Sequence, residues 1–248
     1  MGTISLEELL FVYKDKKRTK ETTENFEESL KRMDLINDIN PFDVVIKGNK
    51  PRERKNIVNY LGDRKKYANF SGKTFSELKD KKGEHLIQRH LLFANKVGCY
   101  ANVLGEIIGY EVPTVYETYP GGIDILSYKD GKLMVVELKD CDLFVDKKIK
   151  PESILRALYE VTTYYAYFKS EMEKTEYGDV IKKIIANSEP TIEKVVIVPK
   201  DMASKMLEHK ELIKDIKVIS IEKKEDLSGY KVDEEKELFN LEVLHSPN

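Results

Sequence analysis

The sequence predicts an α/β protein, with a mixed central sheet flanked by helices and a mainly helical region ahead of it over residues 1–70. Three observations predict this. Asp130-Gly131 lies between two apolar runs, the strongest short-range signal for a two-residue β-hairpin, because a primed turn needs residues that tolerate positive φ. Two stretches on either side of that hairpin, 83–97 and 153–172, space their apolar residues by three and four as a helix requires. Short apolar runs at 195–198 and 218–221 follow with a helical stretch between them, so strand and helix alternate.

Residues 1–70 read as a helical appendage. Ser5-Leu6-Glu7-Glu8 offers a capping-box start, and Asn40-Pro41 and the stretch from Gly48 to Pro51 mark breaks. The core is expected over 71–248. Its first helix runs from Gly83 to Val97 and lines up Glu84, Ile87, Leu91 and Ala94 on one face. Ile107 to Thr114, Ile123 to Tyr128 and Leu133 to Lys139 read as strands. A helix from Ser153 to Met172 carries an apolar stripe of Leu155, Leu158, Tyr165 and Phe168. Val195 to Val198 is then a strand, Met202 to Ile213 a helix and Val218 to Ile221 a last strand.

At 248 residues, with 41% hydrophobic and 35% charged, the chain can bury a sizeable core and still present a heavily charged surface. Cys99 and Cys141 stand far apart and in no ligand spacing, so neither a disulfide framework nor a zinc or iron–sulfur site is indicated, and a reducing cytoplasm is the expected compartment. The sequence shows no basic leader and no apolar run of membrane-spanning length. A net charge of −2 argues against a generally basic nucleic-acid coat, yet from Lys47 to Lys82 there are 12 Lys and Arg against 4 Asp and Glu, with Tyr60, Tyr67 and Phe70 interleaved. From Glu222 to Glu242 the balance reverses, 8 acids to 4 bases. The basic segment reads either as a phosphate-backbone contact, with Arg52, Arg54, Lys65 and Lys66 as the candidate residues, or as a solvated helix face.

The hairpin fixes a register. With Asp130 and Gly131 as the loop, Lys129 pairs with Lys132, and counting back along both strands puts Asp124 opposite Glu137. Opposed residues on an antiparallel pair have Cβ atoms roughly 4.5–5.5 Å apart, and like charges there repel. Their neighbours Ile123, Ile125, Leu126, Val135, Val136 and Leu138 are all apolar, so both acids are expected to be buried, at a cost that a shared divalent cation would turn into coordination. Strand alternation puts Lys139 on the same face as Glu137, where its ammonium could orient a water or stabilise charge developing on a phosphate. The Leu138 carbonyl is a further candidate ligand. Hard oxygen donors favour Mg²⁺, with Mn²⁺ as a substitute.

Gly122-Ile123-Asp124 followed by Val135-Val136-Glu137-Leu138-Lys139 resembles the D-x(n)-E-x-K signature of the PD-(D/E)xK, or restriction-endonuclease-like, superfamily, over about residues 83–200. The resemblance implies a restriction-endonuclease-like core in which the acidic pair binds metal and the lysine assists the water. It also implies a Glu on the preceding helix, matched by Glu84. Glu160 and Tyr164 resemble the Q-x-x-x-Y motif of recombination and repair nucleases, with Glu in place of Gln. Pro120 lies four residues ahead of Asp124 instead of beside it.

Each of these residues has a plainer reading. Glu84 suits the first turn of a helix, where the dipole favours an acid, and Glu160 with Tyr164, spaced i to i+4, suits a surface or packing pair. His85 and His90 share a helix without facing one another, and Cys141 reads as a small apolar side chain. The expected activity is metal-dependent hydrolysis of DNA phosphodiester bonds in the cytoplasm, with DNA as partner and a homodimer as the arrangement many relatives use. The rival is a non-catalytic nucleic-acid or protein-binding module that keeps the same fold.

Overall fold

A computed structural model describes residues 4–5, 44–45, 61, 71–78, 83–114, 122–139, 151–210 and 213–247. Two short strands, β1 (Ile4–Ser5) and β2 (Val44–Val45), pair in parallel near the N-terminus. The helices expected across 1–70, and Arg52, Arg54, Lys65 and Lys66 with them, lie outside the described residues. Leu61 bridges to Gly109 and is buried in the core beside Ile108 and Val112.

Helix α1 (Gly83–Asn95) buries Ile87, Leu91 and Ala94 completely, the stripe its spacing dictates. The Asn95 side chain accepts from the Ile107 amide at 2.8 Å and donates to the Gly105 carbonyl at 2.8 Å, so the end of α1 is tied to the start of the sheet across the short helix α2 (Ala101–Leu104). Strands β3 (Glu106–Pro113), β4 (Gly122–Lys129) and β5 (Lys132–Leu138) then run as an antiparallel meander. The turn between β4 and β5 is the expected two-residue loop. Asp130 and Gly131 both have positive φ, 51° and 80°, and the register pairs Lys129 with Lys132 and Ile125 with Val136.

Helices α3 (Pro151–Met172) and α4 (Thr175–Ile185) lead to β6 (Thr191–Pro199), which runs parallel to β5. Helix α5 (Lys200–Leu207) leads to β7 (Ile216–Lys223), parallel to β6, and β8 (Phe239–His245) closes the sheet antiparallel to β7. The six strands lie in chain order, β3 to β8. Parallel strands need crossovers, and these are the helices between them.

One sheet face packs Met134, Val136, Leu138, Val195, Ile197 and Ile219 against α1 and the segment around Leu227 to Leu238. The other packs Leu133 and Val135 against α3 and α4, and Val196, Val198 and Val218 against α3 and α5. An α/β class with a mixed six-stranded sheet is therefore what the chain forms. Helices α2 and α4 and strands β1, β2 and β8 were not anticipated, and α5 stops at Leu207 although the expected helix ran on to Ile213. Met202 and Met206 keep helical spacing into the core, whereas Ile213 reaches it only after the chain has turned back toward β7.

Candidate active site

The hairpin register decides where the acids go. In a two-residue hairpin closed by Lys129 and Lys132, the hydrogen-bonded pairs alternate, and after Ile125 with Val136 the next would be Ile123 with Leu138. The regular ladder instead ends at Ile125 and Val136. The Leu138 amide donates to Asp124 Oδ2 at 2.8 Å, so a side-chain carboxylate takes the donor that a regular ladder would give to a carbonyl. Asp124 is thereby held against the Leu138 end of β5, although the ladder stops one pair short of the expected Asp124–Glu137 pairing. Glu137 points from a strand buried along nearly its whole length and is itself only 3% exposed.

Lys139 follows directly after β5. Its amide donates to the Ile197 carbonyl at 3.0 Å, extending the parallel pairing with β6 and fixing its backbone. Its ammonium bonds Glu137 Oε1, lies 2.9 Å from Glu160 Oε2 and stands 3.9 Å from Glu84 Oε1. Glu84 comes from the first turn of α1 and Glu160 from the middle of α3. Three elements, α1 and α3 from opposite faces of the sheet and β5 within it, thus deliver side chains to one ammonium. Arg156, one turn before Glu160, donates from Nε to Glu160 Oε1 at 2.8 Å. Tyr164, one turn after it, is buried against the same cluster, and burial, with the charges of Glu160, Glu137 and Asp124, pushes its hydroxyl pKa well up.

The electrostatics show a site short of positive charge. Burial raises Asp124 to about 7, against the pull of Lys139 and the Leu138 amide. Burial and then the Asp124 charge push Glu137 well above the usual carboxylate range. Burial opposes ionisation of Glu160 too, but Lys139, a hydrogen bond with Glu137 and then Arg156 outweigh it and hold that carboxyl down at about 2. For Lys139, burial favours the neutral amine, and the surrounding carboxylates of Glu137, Glu160, Glu84 and Asp124 overcome it to keep the ammonium charged.

Four carboxylates against one ammonium and one half-exposed guanidinium leave an unmet demand for cation charge, and the donors are all hard oxygens. Asp124, Glu137 and Glu84, with a backbone carbonyl at Leu138, therefore fit a divalent cation chemically. Among the described residues no group of three His, Cys, Asp or Glu side chains already stands as a ligand set. The Lys139 ammonium lies among these carboxylates instead.

Two features escaped the sequence reading. Arg156 had a signal, its i to i+4 spacing from Glu160. Glu111 had little. It sits between Tyr110 and Val112, which pair with Ile125 and Ile123, so it lies across from Asp124, and it holds a left-handed φ of 46° unusual for a strand residue. Its carboxylate reaches His85 Nδ1 at 3.4 Å, beside Glu84. His90, by contrast, is a core residue, buried between the Val232 carbonyl and the Tyr100 hydroxyl. Comparison of the chain with protein-family models, with curated proteins and with solved structures finds no match in any of the three.

Proposed function

We propose that this protein is a divalent-cation-dependent nuclease that hydrolyses DNA phosphodiester bonds, of the kind its Asp124 and Glu137-Leu138-Lys139 spacing resembles. One observation carries the reading. Asp124 and Glu137 lie at the end of a buried hairpin beside a lysine that Glu84 and Glu160 also reach, and a structural core gains nothing from crowding a half-buried carboxylate against two buried ones. Asp124, Glu137 and Glu84, with the Leu138 carbonyl, would hold the cation, Mg²⁺ with Mn²⁺ as a substitute. The bound ion would supply Lewis acidity toward a phosphoryl oxygen and lower the pKa of a water.

The chain's own residues do the remaining work. Lys139, kept charged by its carboxylate neighbours, can hold the attacking water or stabilise charge growing on the phosphate. The Leu138 amide holds the Asp124 carboxylate at the end of β5. The close apolar packing of β4 and β5 limits water in the site, which strengthens each of these interactions. The basic segment from Lys47 to Lys82, with Arg52, Arg54, Lys65 and Lys66, supplies the complementary charge for a DNA backbone.

The test separates ligands from the lysine. Asp124→Ala and Glu137→Ala should abolish both Mn²⁺ binding, by calorimetric titration, and cleavage of plasmid, linear or single-stranded DNA in Mg²⁺. Lys139→Ala should bind Mn²⁺ and lose rate by about 10²-fold or more, the scale on which removing one transition-state donor acts. A parent protein that binds no divalent ion and cleaves none of these substrates, but binds DNA or a protein, is the binding module and not the enzyme.

A further inference from the structure

The cluster contains one cation too many for a single position. Lys139 bonds Glu137 Oε1, the carboxylate that the proposed divalent ion would also take. Two positive charges cannot share that ligand without repulsion, so the ammonium must have somewhere to go. Glu160 offers the place. Arg156 Nε occupies Glu160 Oε1 at 2.8 Å and fixes the carboxylate from within the same helix, which turns the second oxygen, Oε2, toward Lys139 at 2.9 Å. That buried oxygen already pairs with the ammonium, so Lys139 is shared between Glu137 and Glu160 before any ion binds. A buried carboxylate beside an ammonium retains it when a second cation claims the other carboxylate.

We propose that Glu160 is the positioning residue for Lys139: it receives the ammonium when a divalent cation takes Glu137, and so admits the metal while keeping the lysine in the site. The inference rests on the divalent-cation reading of Asp124 and Glu137. It assigns Glu160 no contact with metal or substrate; it acts through Lys139. Arg156 is its anchor, since without it the carboxylate is free to turn away. A small rotation of the lysine tip suffices, because both carboxylates are already within contact of Nζ.

The experiment is a double-mutant comparison read by Mn²⁺ calorimetry on the full chain. Glu160→Gln keeps the shape and removes the charge, leaving Lys139 bound to Glu137 in competition with the ion. With Lys139 present, Mn²⁺ affinity should fall on the order of tenfold, within the coupling range of contacting charges. In the Lys139→Met background the same substitution should change affinity by no more than about twofold, since there is no ammonium left to place. Cleavage by Glu160→Gln should lose kcat with KM for DNA unchanged. An equal affinity loss in both backgrounds makes Glu160 a direct ligand, and no loss in either makes it a structural group; either result overturns the proposal. Should Glu160→Gln not fold, Arg156→Gln at its half-exposed position repeats the comparison, with a few-fold affinity loss expected only where Lys139 is present. A parent that binds Mn²⁺ without cleaving DNA overturns the nuclease reading, and the calorimetric comparison still decides the role of Glu160. A parent that binds no divalent ion overturns both.

Discussion

Asp124 illustrates how one carboxyl is pulled in two directions. Its Oδ2 completes the hydrogen bonding of the Leu138 amide, yet burial raises its pKa from 3.8 to about 7. The sign of the consequence follows from linkage. A carboxyl raised in the folded state costs nothing below its unfolded pKa, and costs progressively more as pH climbs to the folded value, because only the unfolded chain ionises freely there. Glu137, also pushed upward, acts in the same direction. The metal-free protein should therefore lose stability between about pH 4 and about pH 7 from this pair. Asp124→Asn removes one titration while its amide oxygen can still accept from Leu138. In urea unfolding with chelator present, the variant should match the parent near pH 4 and exceed it near pH 7.5 by roughly 2–4 kcal/mol. Adding Mn²⁺ should stabilise the parent and not the variant. An advantage independent of pH would show that burial does not perturb this group.

At the scale of elements, two glycines fix the turn end of the β4–β5 hairpin. One lies in the Asp130-Gly131 turn, where Gly131 has open space around it despite its positive φ. The other is Gly105, between α2 and β3, with φ 66° and ψ −144°. A Cβ there would stand 2.2 Å from the Tyr128 carbonyl oxygen and 2.5 Å from Lys129 Cβ, so only glycine lets the chain pass over the end of the hairpin. Gly105→Ala should destabilise by about 3 kcal/mol or more, through backbone clash and a forbidden conformation together. Gly131→Ala, strained in conformation but unobstructed, should cost about 1–2 kcal/mol. Thermal unfolding of the two variants checks the order, and equal losses would mean that the close approach at Gly105 relaxes without cost. Helix α3 contributes differently: Arg156, Glu160 and Tyr164 recur at every fourth residue, so one stripe of the helix faces Lys139 while Leu158, Val161 and Phe168 pack the core.

For the whole molecule the uneven charge matters more than the net −2. On the proposed nuclease reading, a duplex backbone approaching the acidic cluster needs positive charge elsewhere on the protein. The basic run from Lys47 to Lys82 is the segment able to provide it. If it does, DNA affinity falls steeply with added salt, with a slope near −0.9 for each duplex phosphate neutralised. Reversing the charge of Arg52, Arg54, Lys65 and Lys66 together should flatten that slope and weaken binding without changing the unfolding temperature. An unaltered slope would leave the segment as solvated surface. No helix among the described residues is long and apolar enough to cross a membrane.

The sequence by itself determined what depends on residues a few positions apart. Asp130-Gly131 set the turn, the turn set the pairing of Ile125 with Val136, and the pairing brought Asp124 beside the Glu137–Leu138 end of β5. Alternation carried Lys139 to the side of Glu137, and 3/4 spacing placed Ile87, Leu91 and Ala94 in the core with Glu84 at the head of their stripe. Strand β8 carried a legible signal, the apolar and polar alternation of Phe239-Asn240-Leu241-Glu242-Val243, which the reading missed in an acidic stretch. The convergence of Glu84, Glu137 and Glu160 on one ammonium was decided by tertiary structure. Turns and periodicities are enforced by local sterics and so are written in short stretches of chain. The distance between Glu137 and Glu160 depends on how a helix seats on a sheet, which is set by the packing of many apolar side chains at once.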